Sequence, residues 1–174
     1  VLGFLGLFGN PMLIFIAIFV YMAAAGEAAQ SDLEAMTSNL LVQDAMESKF
    51  VAVPVEATLG DAVDILLASA QHEFPVINSS GQPQGLLTRD GLIQALRDKP
   101  RESSVMDIVQ PPVPSVRMSA RLDASLQELS KAGAPAISVV DGEGRITGLL
   151  TLQNITEMMM IRAAQPYWQF GKKA

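Results

Sequence analysis

Two stretches of this 174-residue chain are near copies of each other. Phe74-Pro75-Val76-Ile77-Asn78 leads through Gly81 to Gly85-Leu86-Leu87-Thr88. Ile137-Ser138-Val139-Val140-Asp141 leads through Gly144 to Gly148-Leu149-Leu150-Thr151. Each pair stands 63 residues apart (148 − 85, 144 − 81, 137 − 74), and Val42-Gln43-Asp44 meets Val105-Met106-Asp107 at the same offset. One register held over this length predicts two copies of a small fold, because a solenoid needs at least three repeats to cover its faces. A two-copy module places its binding sites between the copies, so function is to be sought in a cleft and not in a catalytic motif.

Within each copy the pattern predicts the order β-α-β-β-α, an α/β (α+β) arrangement. In copy one, Val51 to Val55 reads as a short strand. Thr58-Leu59-Gly60-Asp61 resembles a capping box that opens a helix carrying Ala62, Ile65 and Leu66 on one side. Phe74 to Ile77 and Pro83 to Leu87 read as strands around the turn Asn78-Ser79-Ser80-Gly81, and Thr88 caps a second helix through Leu92 and Ala95. Copy two repeats the order as Ser115 to Met118, Leu122 to Ala132, Ala136 to Val140, the turn Asp141 to Gly144, Arg145 to Leu150, and a helix from Thr151. The expected boundaries are 40–98 for the first repeat, 99–104 for a linker, 105–160 for the second repeat and 161–174 for a tail.

The first 25 residues carry no charge. Pro11 suits the first turn of a helix, where its missing N–H costs nothing. From Met12 to Met22 the run is apolar on every face, as a membrane or deep-core helix requires. Pro11 to Ala29 spans roughly 28 Å at 1.5 Å per residue, close to the hydrocarbon thickness of a bilayer. A transmembrane helix over about 11–29 is the reading adopted, within a membrane segment 1–29 joined by a linker 30–39. The competing readings are a signal peptide, which lacks its basic n-region, and an apolar interface helix of a dimer. A start at Val1, in the middle of an apolar segment, reads as part of a longer polytopic protein. Beyond this segment the chain has the mixed character of a water-exposed domain. Its net charge of −6 offers no basic surface for a phosphate backbone, so nucleic acid is not an expected partner. The absence of cysteine excludes disulfides and thiolate chemistry.

Val-x-Asp-x-Met (Val42 to Met46), Thr58-Leu59, Phe-Pro-Val-Ile-Asn and Gly-Leu-Leu-Thr resemble a CBS domain, the module named for cystathionine β-synthase. The second copy makes the whole similar to a tandem CBS pair, a pseudo-twofold module with two clefts. Gly6 to Val20, the Ala-rich stretch with Glu27 and the pair that follows are similar to the C-terminal end of bacterial site-2-protease-type zinc metallopeptidases. That resemblance implies a regulatory module on an upstream membrane peptidase domain at the inner (cell) membrane, with the pair in the cytoplasm and the zinc in the missing peptidase part. The chain lacks His-Glu-x-x-His, and its one histidine, His72, cannot build a zinc site. No catalytic residue and no metal ligand are expected within it.

The CBS resemblance further implies AMP, ADP or ATP as ligand and homodimerisation through the pair. The family signature Gly-x-x-Thr/Ser-x-x-Asp implies a Thr that contacts phosphate and an Asp that binds ribose. Here Thr88-Arg89-Asp90-Gly91 has glycine at the ribose position with Asp90 one place early, and Thr151-Leu152-Gln153-Asn154 has Asn154. Arg89 is the best-placed cation for a phosphate and Arg145 the candidate for the other cleft, against the competing reading that both arginines are solvated. His72, and the apolar walls Phe74-Pro75 and Ala134-Pro135-Ala136, complete the candidate set of Thr88, Arg89, Asp90, Thr151 and Asn154. The alternatives kept open are a dimerisation scaffold with empty clefts, and a membrane-anchored regulator of a transporter or other effector.

Overall fold

Each copy builds a three-stranded sheet from one very short strand and one hairpin. The computed structural model describes residues 40–110 and 115–165. The helix read over 11–29 and residues 166–174 of the tail lie outside them. In copy one, β1 (Val53–Pro54) runs parallel to β2 (Glu73–Ile77), and β2 pairs antiparallel with β3 (Pro83–Thr88). In copy two, β4 (Val116–Arg117), β5 (Ala136–Val140) and β6 (Ile146–Thr151) repeat that order. The helices are α1 (Val42–Ala45), α2 (Leu59–Leu67), α3 (Arg89–Ala95), α4 (Leu122–Ala132) and α5 (Leu152–Ala164). Both copies lie within one compact unit. Among the described residues, no helix is long and apolar enough to cross a membrane.

The sequence offset reappears as hydrogen-bond register. Val53 faces Val76 as Val116 faces Val139, and Glu73 faces Thr88 as Ala136 faces Thr151. Even the bulge recurs, at Val76/Ile77 and at Val139/Val140. The hairpin turns match as well. Asn78 Oδ1 accepts from the N–H groups of Ser80 and Gln82, and Asp141 Oδ1 from those of Glu143 and Arg145. Each turn then closes through a glycine at positive φ, 77° at Gly81 and 78° at Gly144, where a Cβ would be strained.

The predicted capping box is formed at α2. Asp61 N–H donates to Thr58 Oγ1 at 3.2 Å, and Thr58 N–H donates to Asp61 Oδ2 at 2.9 Å. Copy one buries Val53, Leu59, Phe74, Leu87 and Leu92 in one cluster. At about 25 cal/mol per Å² of apolar surface, each such side chain contributes about 2 kcal/mol. Val105, from beyond the linker, is a full member of this cluster.

Val105 is there because the copies exchange their leading segments. Residues 103–110 form a strap on copy one: Val105 N–H donates to Ala57 O, and Leu86 and Gln110 form an antiparallel bridge. Residues 40–47 form the equivalent strap on copy two: Val42 N–H donates to Ala120 O, and Glu47 bridges Leu149. The short helix α1 packs on α4 and α5 accordingly. Each copy is therefore completed by the segment that precedes the other in sequence. In the run Met158-Met159-Met160 of α5, Met158 is buried and Met160 exposed.

Candidate functional site

A cleft of about 580 Å³ opens between the copies where strap 40–47 reaches copy two. One wall is the chain from Glu47 to Val51, the second is Ser69 to Glu73 leading into β2, and the third is the end of β6 with the first turns of α5. Gln71 locks two of these walls together. Its Nε2 donates to Val51 O (2.8 Å) and to Glu73 O (2.6 Å), while its Oε1 accepts from Val51 N–H (2.8 Å). One amide thus replaces a stretch of strand ladder that β1 is too short to supply.

The third wall is a helix N-terminus, whose unpaired N–H groups and dipole favour acceptors and negative charge. Thr151 caps it. Asn154 N–H donates to Thr151 Oγ1 (3.0 Å), and the Thr151 hydroxyl donates to Asn154 Oδ1 (2.6 Å). The Asn154 carboxamide oxygen is thereby held in the cap, and no hydrogen bond within the described residues uses its Nδ2 donors. At the equivalent point of copy one, Thr88 Oγ1 accepts from Gly91 N–H at 3.1 Å, and glycine has no side chain to complete the exchange. A Cβ on Gly91 would stand 2.9 Å from that hydroxyl.

Of the residues singled out from sequence, the cleft brings together His72, Thr151 and Asn154. His72 presents an exposed side chain, and its carbonyl accepts from Arg89 N–H. Thr88, Arg89, Asp90, Ala134, Pro135 and Ala136 do not line it. Under the 63-residue offset, Thr88 corresponds to Thr151 and Pro135 to His72, so these hold the equivalent positions of the other repeat. Three expected walls are corrected by burial. Phe74 and Ala136 are each 1% exposed and Pro75 is buried, because they lie within the central strands and pack into the cores. A ligand cannot touch the Phe74 ring without opening the core of copy one. Arg145 follows the solvated reading: it pairs with Asp141 (2.9 Å) and Glu143 (3.1 Å) at the hairpin turn and does not line this cleft. Arg89 is exposed at the first turn of α3.

Sequence reasoning missed Glu47, Lys49, Gln71, Glu73 and Glu157, which line the cleft with the predicted three. Burial raises the Glu73 carboxyl above its ordinary range, partly opposed by the neighbouring His72. Among the described residues no group of three or more His, Asp or Glu side chains is arranged to hold a metal ion.

Two sheets of the same order and register, with crossed straps and a cleft on a helix N-terminus between the copies, define a paired module. The CBS domain model matches residues 42–98 and again 105–161, and the chain belongs to that family. Among curated proteins it is 29% identical over 126 residues to the magnesium and cobalt efflux protein CorC of Pasteurella multocida, a match covering 71% of this chain and 42% of that protein. The chain thus spans less than half of this relative. Among solved structures, the CBS domain pair of protein MJ0100, in complex with 5′-methylthioadenosine and S-adenosyl-L-methionine, has a TM-score of 0.61 at 20% identity. The match covers 68% of this chain and 98% of that one. CBSX2 in complex with AMP has a TM-score of 0.61 at 23% identity, over 72% of this chain and 99% of that one.

Proposed function

We propose that this chain is the regulatory CBS pair of a membrane protein and that the Thr151 cleft takes an adenosine-derived ligand. The observation that carries this reading is the cleft itself, which sets the capped N-terminus of α5 and the Asn154 Nδ2 donors beside the strap that enters the module. Donors of this kind suit ribose hydroxyl oxygens or a phosphate. The adenosine ligands of two structural neighbours support the same class, which for this chain includes AMP, ADP and ATP. Binding at the cleft would favour one placement of the strap over another. It would thereby bias whatever is joined upstream, which is coupling by differential affinity for two states. Exposed Leu67 (75%) and Met160 (68%), on α2 and α5, support pairing of two modules through their helices.

Isothermal calorimetry of the full chain against AMP, ADP, ATP and S-adenosylmethionine tests the ligand. Saturable heat with at least one of them is expected; no heat and no thermal shift with any leaves the scaffold reading with empty clefts. The effector is a separate matter. Similarity to an efflux protein supports a transporter-associated partner, whereas the resemblance of Gly6 to Val20 supports a site-2-protease-type peptidase domain with the pair on the cytoplasmic side. The sequence encoded upstream decides between them: a His-Glu-x-x-His helix within a few hundred residues selects the peptidase, and its absence removes it.

A further inference from the structure

The charges around the cleft are arranged against a phosphate chain. Glu47, Glu73 and Glu157 contribute three carboxylates to its lining, against one ammonium, Lys49, and the imidazole of His72. No arginine lines it, so the forked donor that recognises phosphate bidentately is missing. Besides Lys49, the helix N-terminus is the feature that would welcome an anion, and its Asn154 N–H is already bonded to the Thr151 hydroxyl. The carboxylates outnumber the ammonium three to one around a partly enclosed space, where the half-buried Glu73 is less screened than a charge on an open surface.

Resting on the reading of this cleft as an adenosine site, we infer that it selects adenosine derivatives whose 5′ substituent is uncharged or cationic, such as a thioether or a sulfonium, over nucleotides with phosphate chains. Glu73 is the most telling member. Its carboxyl is half-buried without an ion-pair partner among the described residues, and a cation seated beside it would supply the missing counter-charge. Glu157 differs in that its Oε1 accepts from Gln153 Nε2 at 2.9 Å, which holds it on the exposed face of α5 at the cleft rim. A nucleoside with a positive tail gains from all three carboxylates; each added phosphate loses to them.

The test is calorimetry of the full chain in EDTA, which prevents a divalent cation from masking phosphate charge. The ligands are adenosine, S-adenosylmethionine, AMP and ATP. Adenosine and S-adenosylmethionine should bind at least tenfold more tightly than AMP, and ATP more weakly still. Glu73→Gln and Glu157→Gln should each narrow the adenosine-to-AMP ratio by about threefold, and Lys49→Gln at the exposed rim should widen it. AMP or ATP binding as tightly as adenosine would overturn the charge selection while leaving the adenosine site standing. Binding by none of the four would remove the site and the selection together. Ratios that do not move in any of the three variants would also overturn the selection, whichever ligand binds best.

Discussion

Glu73 shows most clearly what one side chain contributes to this module. Its carboxyl lies at the edge of β2, where burial penalises the charged form and raises its pKa above the ordinary 4.5. The folded state therefore binds that proton more tightly than the unfolded state. The sign follows: stability from this group is fully present below pH 4.5 and is lost as pH rises through the higher folded value. Glu73→Gln should accordingly raise the melting temperature at pH 7, with the gain fading as pH falls toward 4 in a denaturation series. Asp61 has the opposite sign. The N–H and hydroxyl of Thr58 lower its pKa, so its contribution holds at neutral pH and is lost as pH falls through the folded value. Thr58→Ala removes the hydroxyl bonds of this cap and leaves the backbone N–H to Asp61 Oδ2 bond in place, and should cost about 1 kcal/mol by urea denaturation.

At the scale of elements, the straps and the glycines beneath them decide how the copies are joined. Gly85 in β3 lies under strap 103–110. A Cβ there would overlap Val109 Cγ1 and come within 2.6 Å of Gln110 O, which is backbone and cannot swing away. Its counterpart Gly148 is less confined, with Glu47 O and the movable Met46 Sδ both at 3.0 Å. Gly85→Ala should cost about 3 kcal/mol and Gly148→Ala about 1 kcal/mol, the range of overpacking penalties. Hydrogen exchange should show the first releasing the Leu86 and Gln110 amides and the second loosening Glu47 and Leu149. The turns and caps of these elements were legible because their chemistry is local: a Thr three residues before an acid, or an Asn or Asp three residues before a glycine. The Gln71 clamp was not, because it serves Val51, 20 residues away, and nothing beside a glutamine names so distant a partner.

For the whole molecule, the 63-residue offset predicted the paired sheets and a cleft between copies, and the structure adds a bulge that recurs at the same offset. It could not say which copy each leading segment completes. Docking Val42 on its own copy or on the other satisfies the same hydrogen bonds with the same residue types, so the exchange leaves no local trace. The membership of the cleft was half-legible for the same reason. Thr151, Asn154 and His72 belong to recognisable motifs, while Glu47 and Lys49 arrive on the exchanged strap. The exchange makes the halves interdependent. A fragment of residues 40–98 would carry a strap for copy two and lack the one holding Val105, which is fully buried in the core of copy one. Fragments 40–98 and 103–165 should each show little cooperative unfolding alone, and should recover a single transition when mixed, as followed by circular dichroism.

Strap 40–47 also has a mechanical meaning. Tension applied upstream of Leu40 peels the strap from its outer end, breaking first the bond from Leu122 N–H to Leu40 O, then that from Val42 N–H to Ala120 O. The paired bonds between Glu47 and Leu149, at 2.8 and 2.9 Å, lie at the inner end of the strap and yield last, and both residues line the cleft. An occupant of the cleft would press on that final anchor. It would therefore set the force at which the tether lets go.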